Sequence, residues 1–117
     1  MKILLIYYTG TFNTRYLTNL VKERFISQGD EVDTIEINSH TKLIDTSSYK
    51  LIGFSYPIYG FNAPLPFDQY VKKLTFNRSQ KYFIYKNSGE VLKMNNASSR
   101  ILIRHMRKFK TKLIGEY

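Results

Sequence analysis

The sequence contains no cysteine. That excludes disulfides, cysteine-ligated iron–sulfur clusters and thiol catalysis within its 117 residues, and it fits a reducing compartment such as the cytoplasm. No stretch is apolar for long enough to span a bilayer, so no membrane attachment is expected. The opening MKILLIYYTG has too short an apolar part for a signal peptide and lacks a small-residue cleavage site; it reads as a strand. Histidines number two. His40 lies in a polar stretch, and His105 falls on the apolar side of a helical pattern, where packing is the expected role. Asp45 and Asp68 have no catalytic pairing, and no metal-ligand spacing occurs. An independent acid–base, nucleophilic or metal centre is therefore not expected.

Acidic residues are also few. Nine Asp and Glu face 18 Lys and Arg, for a net charge of +9. Such a balance attracts anions: nucleic acid, an acidic protein or a phosphorylated ligand. The basic residues are scattered along the chain, and only Arg100, Arg104, Arg107, Lys108, Lys110 and Lys112 form a dense run. A solvated surface is the simpler reading, with docking of an acidic partner on the basic run as its alternative. Nucleic acid is not expected as a partner. With 43% hydrophobic and 23% charged residues, the composition is that of an ordinary globular protein. The length suits one domain, residues 1–117, though it is small for a doubly wound sheet. There are no repeats and no linker.

What is present is a regular alternation of elements. Lys2 to Tyr8 is an unbroken apolar run, as in a central parallel strand covered on both faces. A helix follows, capped by Asn13 or Thr14, with Leu17, Leu20, Val21 and Phe25 at helical spacing and Gly29 at its end. Glu31 to Ile37 alternates, as in a strand near a sheet edge. Asn38 to Ser48 is a polar loop. Tyr49 to Ser55 is a third, central strand, and Leu65 or Pro66 to Leu74 a short helix with proline well placed at its start. Lys81 to Lys86 is a fourth strand, Ala97 to Phe109 a helix, and Lys112 to Tyr117 a fifth strand. This order indicates an α/β sheet with crossover helices.

Ligands of such sheets bind beyond the carboxyl ends of the strands. Three segments leave those ends. Thr9–Asn13 offers hydroxyls and, at a helix start, free N–H groups and a positive dipole end, which together outline a phosphate site. Tyr56–Ala63 offers Tyr56, Tyr59 and Phe61 for stacking on a ring, and Gly60 for close backbone approach. Asn87–Asn96 offers Asn87, Ser88 and Gly89, compact enough to meet a ring edge through the main chain.

These segments resemble the loops of flavodoxin-like flavoproteins, and most narrowly those of the flavodoxin domain fused to a two-cluster ferredoxin-type domain in anaerobic bacteria. Thr9-Gly10-Thr11-Phe12-Asn13-Thr14 is similar to the family's Ser/Thr-Gly-Thr-Gly-Asn-Thr phosphate loop, with Phe12 where the family has glycine. Tyr56-Pro57-Ile58-Tyr59-Gly60-Phe61-Asn62-Ala63-Pro64 looks like its ring-contacting loop, and Asn87-Ser88-Gly89 stands where its third loop lies. The resemblance covers essentially the whole chain. It implies a three-layer α/β/α sheet with strand order 2-1-3-4-5, truncated at the fifth strand, whose open edge could pair with another chain. It implies FMN as cofactor and electron transfer as function. Thr9, Gly10, Thr11, Phe12, Asn13 and Thr14 would surround the phosphate. Pro57, Ile58, Tyr59, Gly60 and Phe61 would meet the isoalloxazine, with Tyr59 stacked on it or flanking it and the Gly60 carbonyl near N5. Asn87, Ser88, Gly89 and Glu90 would face the pyrimidine edge.

The implied partner is a redox protein, ferredoxin-type or acidic. The net charge of +9 departs from the acidic surface usual in electron-carrying flavodoxins. Two other readings stay open at this point: an accessory flavodoxin serving one reductase, and a flavin-free domain of the same fold that binds a protein or a nucleic acid.

Overall fold

The computed structural model describes residues 1–8, 12–38, 40–56, 65–85 and 100–116, with the backbone alone described at 12–14, 65, 100, 101 and 116. Among these residues the elements run β1 Lys2–Tyr8, α1 Phe12–Ser27, β2 Glu31–Ile37, β3 Leu51–Ser55, α2 Leu65–Lys72, β4 Lys81–Ile84, α3 Arg100–Arg107 and β5 Lys112–Glu116. The five strands form one sheet in the order β2-β1-β3-β4-β5. Every pairing is parallel. This is the α/β arrangement expected of a flavodoxin-like chain, with β3 central and the alternating β2 at an edge.

The unbroken apolar runs end up inside. Ile3, Leu4, Leu5 and Ile6 of β1 are fully buried, because residues on both faces of a central strand meet a covering layer. On one face Leu4, Ile6, Ile52, Phe54, Tyr82 and Ile84 pack against Phe67, Tyr70, Val71 and Leu74 from α2 and its end, and against Leu102 and Met106 of α3. On the other, Ile3, Leu5, Leu51, Phe83 and Tyr85 meet Leu17, Val21 and Phe25 of α1. Gly53 lies on this second face, and its missing side chain leaves the room that Phe83 and Leu5 occupy.

Several boundaries depart from expectation. Helix α1 starts at Phe12, so Asn13 and Thr14 are first-turn residues and neither is the cap. Phe12 has helical backbone, and the one non-glycine residue with positive φ among those described is Lys110, at 59°. Phenylalanine in place of glycine at position 12 therefore demands no left-handed backbone. Strand β3 begins at Leu51, two residues late. Tyr49 is held instead in a turn, its N–H donating to Thr46 O, while its hydroxyl donates to Asp33 Oδ2 at 2.6 Å. Burial, then that bond and the charge of Asp33, push the Tyr49 hydroxyl up to about 12. Lys110 closes the turn after α3 in the left-handed conformation usual at a helix end. Residues 97–99, expected to open that last helix, lie outside the described residues.

Candidate functional site

Because the sheet is parallel, β1, β3 and β4 present their carboxyl ends at one edge and stand side by side there. From β1 the chain turns to β2 on one side and then to β3 on the other. The gap between β1 and β3 is thus the point where strand order reverses, the standard ligand position in an open α/β sheet. Segments 9–11, 57–64 and 86–99 all begin at this edge. The amino end of α1 is also brought here, four residues after the end of β1. A 16-residue helix thus starts at this edge with the positive end of its dipole.

The described side chains at the edge are polar and closely placed. Tyr7 and Ser55 are register partners on β1 and β3. Strand alternation puts Ser55 on the α1 face with Leu51 and Gly53. Ser55 is 0% exposed, and its hydroxyl is the one buried side-chain polar atom with no hydrogen-bond partner among the described residues. A hydroxyl so placed costs free energy unless something bonds it. Beside it, the hydroxyls of Thr18 and Tyr85 pair at 2.9 Å. Burial pushes the Tyr85 phenol well above its ordinary range, so it stays protonated.

Arg15, in the first turn of α1, gives its charge to Glu36 of β2. Nη2 and Nε donate to Oε1 at 2.5 and 3.1 Å. The Glu36 bond is the largest cause raising the guanidinium pKa further. Tyr7 lies in the same cluster, its phenol raised chiefly by burial and then by Glu36, with Arg15 opposing. The basic residue of the first turn of α1 is thus already paired, and an anion at the helix start would meet the helix dipole without a free charge from Arg15. On the α2 side of the edge a cleft of about 520 Å³ opens, lined in part by Tyr8, Asn38, Thr41, Gln69 and Lys73.

Of the residues singled out in the sequence, Phe12, Asn13 and Thr14 form the start of α1 at this edge. Thr9, Gly10, Thr11, Pro57, Ile58, Tyr59, Gly60, Phe61, Asn87, Ser88, Gly89 and Glu90 lie outside the described residues. Tyr56 is corrected: it is 0% exposed, with its ring 4.7 Å from that of Phe67, and it belongs to the α2-side core. His105 is buried against Phe76 and Phe109, its Nε2 3.3 Å from Leu74 O, far from the carboxyl edge. Sequence reasoning missed Ser55, Thr18 and Tyr85. The available signal was a small hydroxyl residue closing an otherwise apolar buried strand. Among the described residues no cluster of three metal-ligating side chains occurs, and no helix is long and apolar enough to cross a membrane.

This sheet, its order and its layering define a flavodoxin-like α/β domain. Solved structures agree. Oxidised flavodoxin 1 from Bacillus cereus superimposes with a TM-score of 0.79 over 100% of this chain and 84% of that one, at 14% identity. The Fusobacterium nucleatum flavodoxin bound to flavin mononucleotide gives 0.69 over 97% and 68%, at 16% identity. A Lactobacillus acidophilus flavoprotein in complex with FMN gives 0.69 over 98% and 91%, at 13%. At such identities the likeness is one of fold. No protein-family model and no curated protein sequence matches the chain.

Proposed function

We propose that this chain binds FMN at the carboxyl edge of β1, β3 and β4 and serves as an electron-transfer domain. The observation that carries the reading is the Ser55 hydroxyl: buried, unpartnered, and set on the strand next to β1, whose exit leads into α1. A phosphate monoester there would give that hydroxyl an acceptor and meet the dipole of α1. Structures of the same fold, two of them described as holding flavin mononucleotide or FMN, support the choice of ligand.

In this reading Thr9, Gly10, Thr11, Asn13 and Thr14 join Ser55 around the phosphate. Tyr59 and Gly60 meet the ring, and Asn87 to Glu90 its pyrimidine edge. The bound flavin supplies the redox chemistry; the chain binds and orients it and sets its surroundings. Arg15, tied to Glu36, leaves the phosphate to neutral donors. The partner is a redox protein that approaches the carboxyl edge, where the ring lies.

The test is a visible absorption spectrum of the purified protein followed by titration with FMN. A flavin spectrum, or saturable quenching of added FMN at micromolar concentration or below, is the expected result. A folded, colourless protein that leaves FMN fluorescence unchanged would overturn the reading.

A further inference from the structure

Helices α2 and α3 pack side by side on one face of the sheet, and both carry the chain from the carboxyl edge back to the amino edge. Their last turns therefore meet at the end of the domain away from the candidate site. A cleft of about 450 Å³ opens there, lined by Lys72 of α2 and by Arg104, His105 and Lys108 of α3 and the turn after it. Lys72, Arg104 and Lys108 are exposed, while His105 is a buried part of the wall. The His105 Nε2, 3.3 Å from Leu74 O, ties α3 to the end of α2. Its ring is held in place by edge contacts with Phe76 and Phe109.

Among the described residues no acid lines this cleft. The ion pairs between described residues are Met1–Asp30 and Arg15–Glu36, and neither involves its three cations. Asp68 lies one turn before Lys72 on α2 and feels its charge, but it is buried and outside the lining. Part of the positive charge has an ordinary cause. Basic residues near the carboxyl end of a helix offset its dipole, equivalent to about half a negative charge. Two such ends balance about one of the three cations. The surplus works against the fold. Arg104 and Lys108 stand one turn apart, a spacing at which like charges repel. Lys108 and Lys72 also disfavour a proton on His105, adding to burial, the larger cause, against the bonds to Leu74 and Val71.

We infer that the cleft between the ends of α2 and α3 binds a small multivalent phosphate ligand, a polyphosphate or a phosphate ester, through Lys72, Arg104 and Lys108. The Arg104 guanidinium presents paired donors that fit two phosphate oxygens, and the two lysines supply point charges on either side. The volume falls within the range of small-molecule clefts, about 300–1,000 Å³. An acidic protein is disfavoured, because the lining residues include none of the large apolar or aromatic anchors that centre a protein interface. A nucleic-acid strand is disfavoured because the three cations converge on one concavity, where a strand needs charge that tracks its backbone. The cleft lies at the far end of the helices from the flavin site, so the two ligands do not compete for the same residues.

The probe is inorganic pyrophosphate, followed by NMR titration of the histidine rings in isotope-labelled protein. His105 reads the cleft, and His40, exposed in the polar stretch after β2, is the internal control. A bound anion offsets the repulsion from Lys72 and Lys108, so saturating pyrophosphate is expected to raise the His105 titration midpoint by about one pH unit and to leave His40 in place. Sodium chloride at matched ionic strength is expected to raise it far less. Arg104→Gln with Lys108→Gln, both at exposed positions, is expected to weaken pyrophosphate at least about tenfold with circular dichroism unchanged. An unmoved His105 at millimolar pyrophosphate would overturn the inference, as would an equal shift in sodium chloride or unweakened binding by the double variant. Single-stranded DNA or a polyglutamate peptide that moves His105 at lower concentration than pyrophosphate would overturn it in favour of that polymer. Pyrophosphate held at the flavin site alone would displace FMN and leave His105 unmoved, which also counts against it. FMN titration of the double variant reads the other edge and is expected to match the parent, so the two readings fail separately.

Discussion

The hydroxyl oxygens of Thr18 on α1 and Tyr85 at the end of β4 lie 2.9 Å apart in a buried contact 67 residues long in sequence. Thr18 is 1% exposed and Tyr85 3%. The bond ties the helix that opens at the candidate site to the strand from which segment 86–99 departs. Each hydroxyl satisfies the other, where either alone would be a desolvated, unpaired group.

Tyr85→Phe therefore strands Thr18 and is expected to lower stability by about 1–2 kcal/mol. Thr18→Val in the Tyr85→Phe background is expected to recover part of that loss, since it removes the orphaned hydroxyl while keeping the shape. Urea denaturation of the four proteins closes a double-mutant cycle. Strictly additive single losses would show that the contact contributes nothing.

Gly53 supports the neighbouring packing through space alone. A Cβ there would stand 2.6 Å from Phe83 Cζ and 2.7 Å from Leu5 Cδ2. Gly53→Ala is expected to destabilise by about 1–3 kcal/mol through overpacking. Phe83→Leu, which withdraws the ring, is expected to cost less in the Gly53→Ala protein than in the parent. Equal costs in both backgrounds, measured by urea midpoints, would break the proposed coupling.

Much of this architecture is legible in the residues. Strands β1 and β2 match the apolar run and the alternating run residue for residue, because burial on both faces and burial near an edge leave different patterns. The start of β3 was misplaced because Tyr49 reads as a strand aromatic, while its hydroxyl bond to Asp33 is a long-range contact that no local pattern carries. Tyr56 reads as a ring platform beside Tyr59 and Phe61, yet Phe67, eleven positions on, draws it inward. The start of α1 after the first strand was visible from the hydroxyl-rich stretch that precedes its apolar periodicity. Ser55 was not, since the lack of a partner is a property of everything around it.

His105 supplies a pH dependence. It is 8% exposed, and burial is the main cause holding its folded-state pKa below the ordinary value, with Lys108 and Lys72 adding repulsion against the bond to Leu74 O. Between the unfolded pKa near 6.5 and the lower folded value, the unfolded chain binds more protons. Stability is therefore expected to fall as pH drops below about 6.5. Asp68, its carboxyl raised by burial, has the opposite sign: its contribution to stability grows as pH falls from its folded to its ordinary value, near 3.8. Replacing His105 by Leu is expected to flatten the profile of urea midpoints between about pH 7.5 and 5.5. An unchanged slope in that variant would remove His105 as its source.

Ser55 separates binding from stability. As the unpartnered buried hydroxyl, it lowers the stability of the protein without ligand; under the FMN reading it would donate to the phosphate and strengthen binding. Ser55→Ala is thus expected to raise the stability of the flavin-free protein by about 1 kcal/mol and to weaken FMN by about tenfold. Riboflavin has the same ring system and no phosphate, so its affinity is expected to be unchanged. That contrast distinguishes a direct bond from a general loosening of the site, which would weaken both ligands together. Ser55→Thr keeps the donor but adds a methyl to a fully buried position, and it is expected to lower stability. Equal loss of FMN and riboflavin in Ser55→Ala would place the hydroxyl away from the phosphate. A gain in stability with no loss of either ligand would make Ser55 an unpaired group without a role in binding.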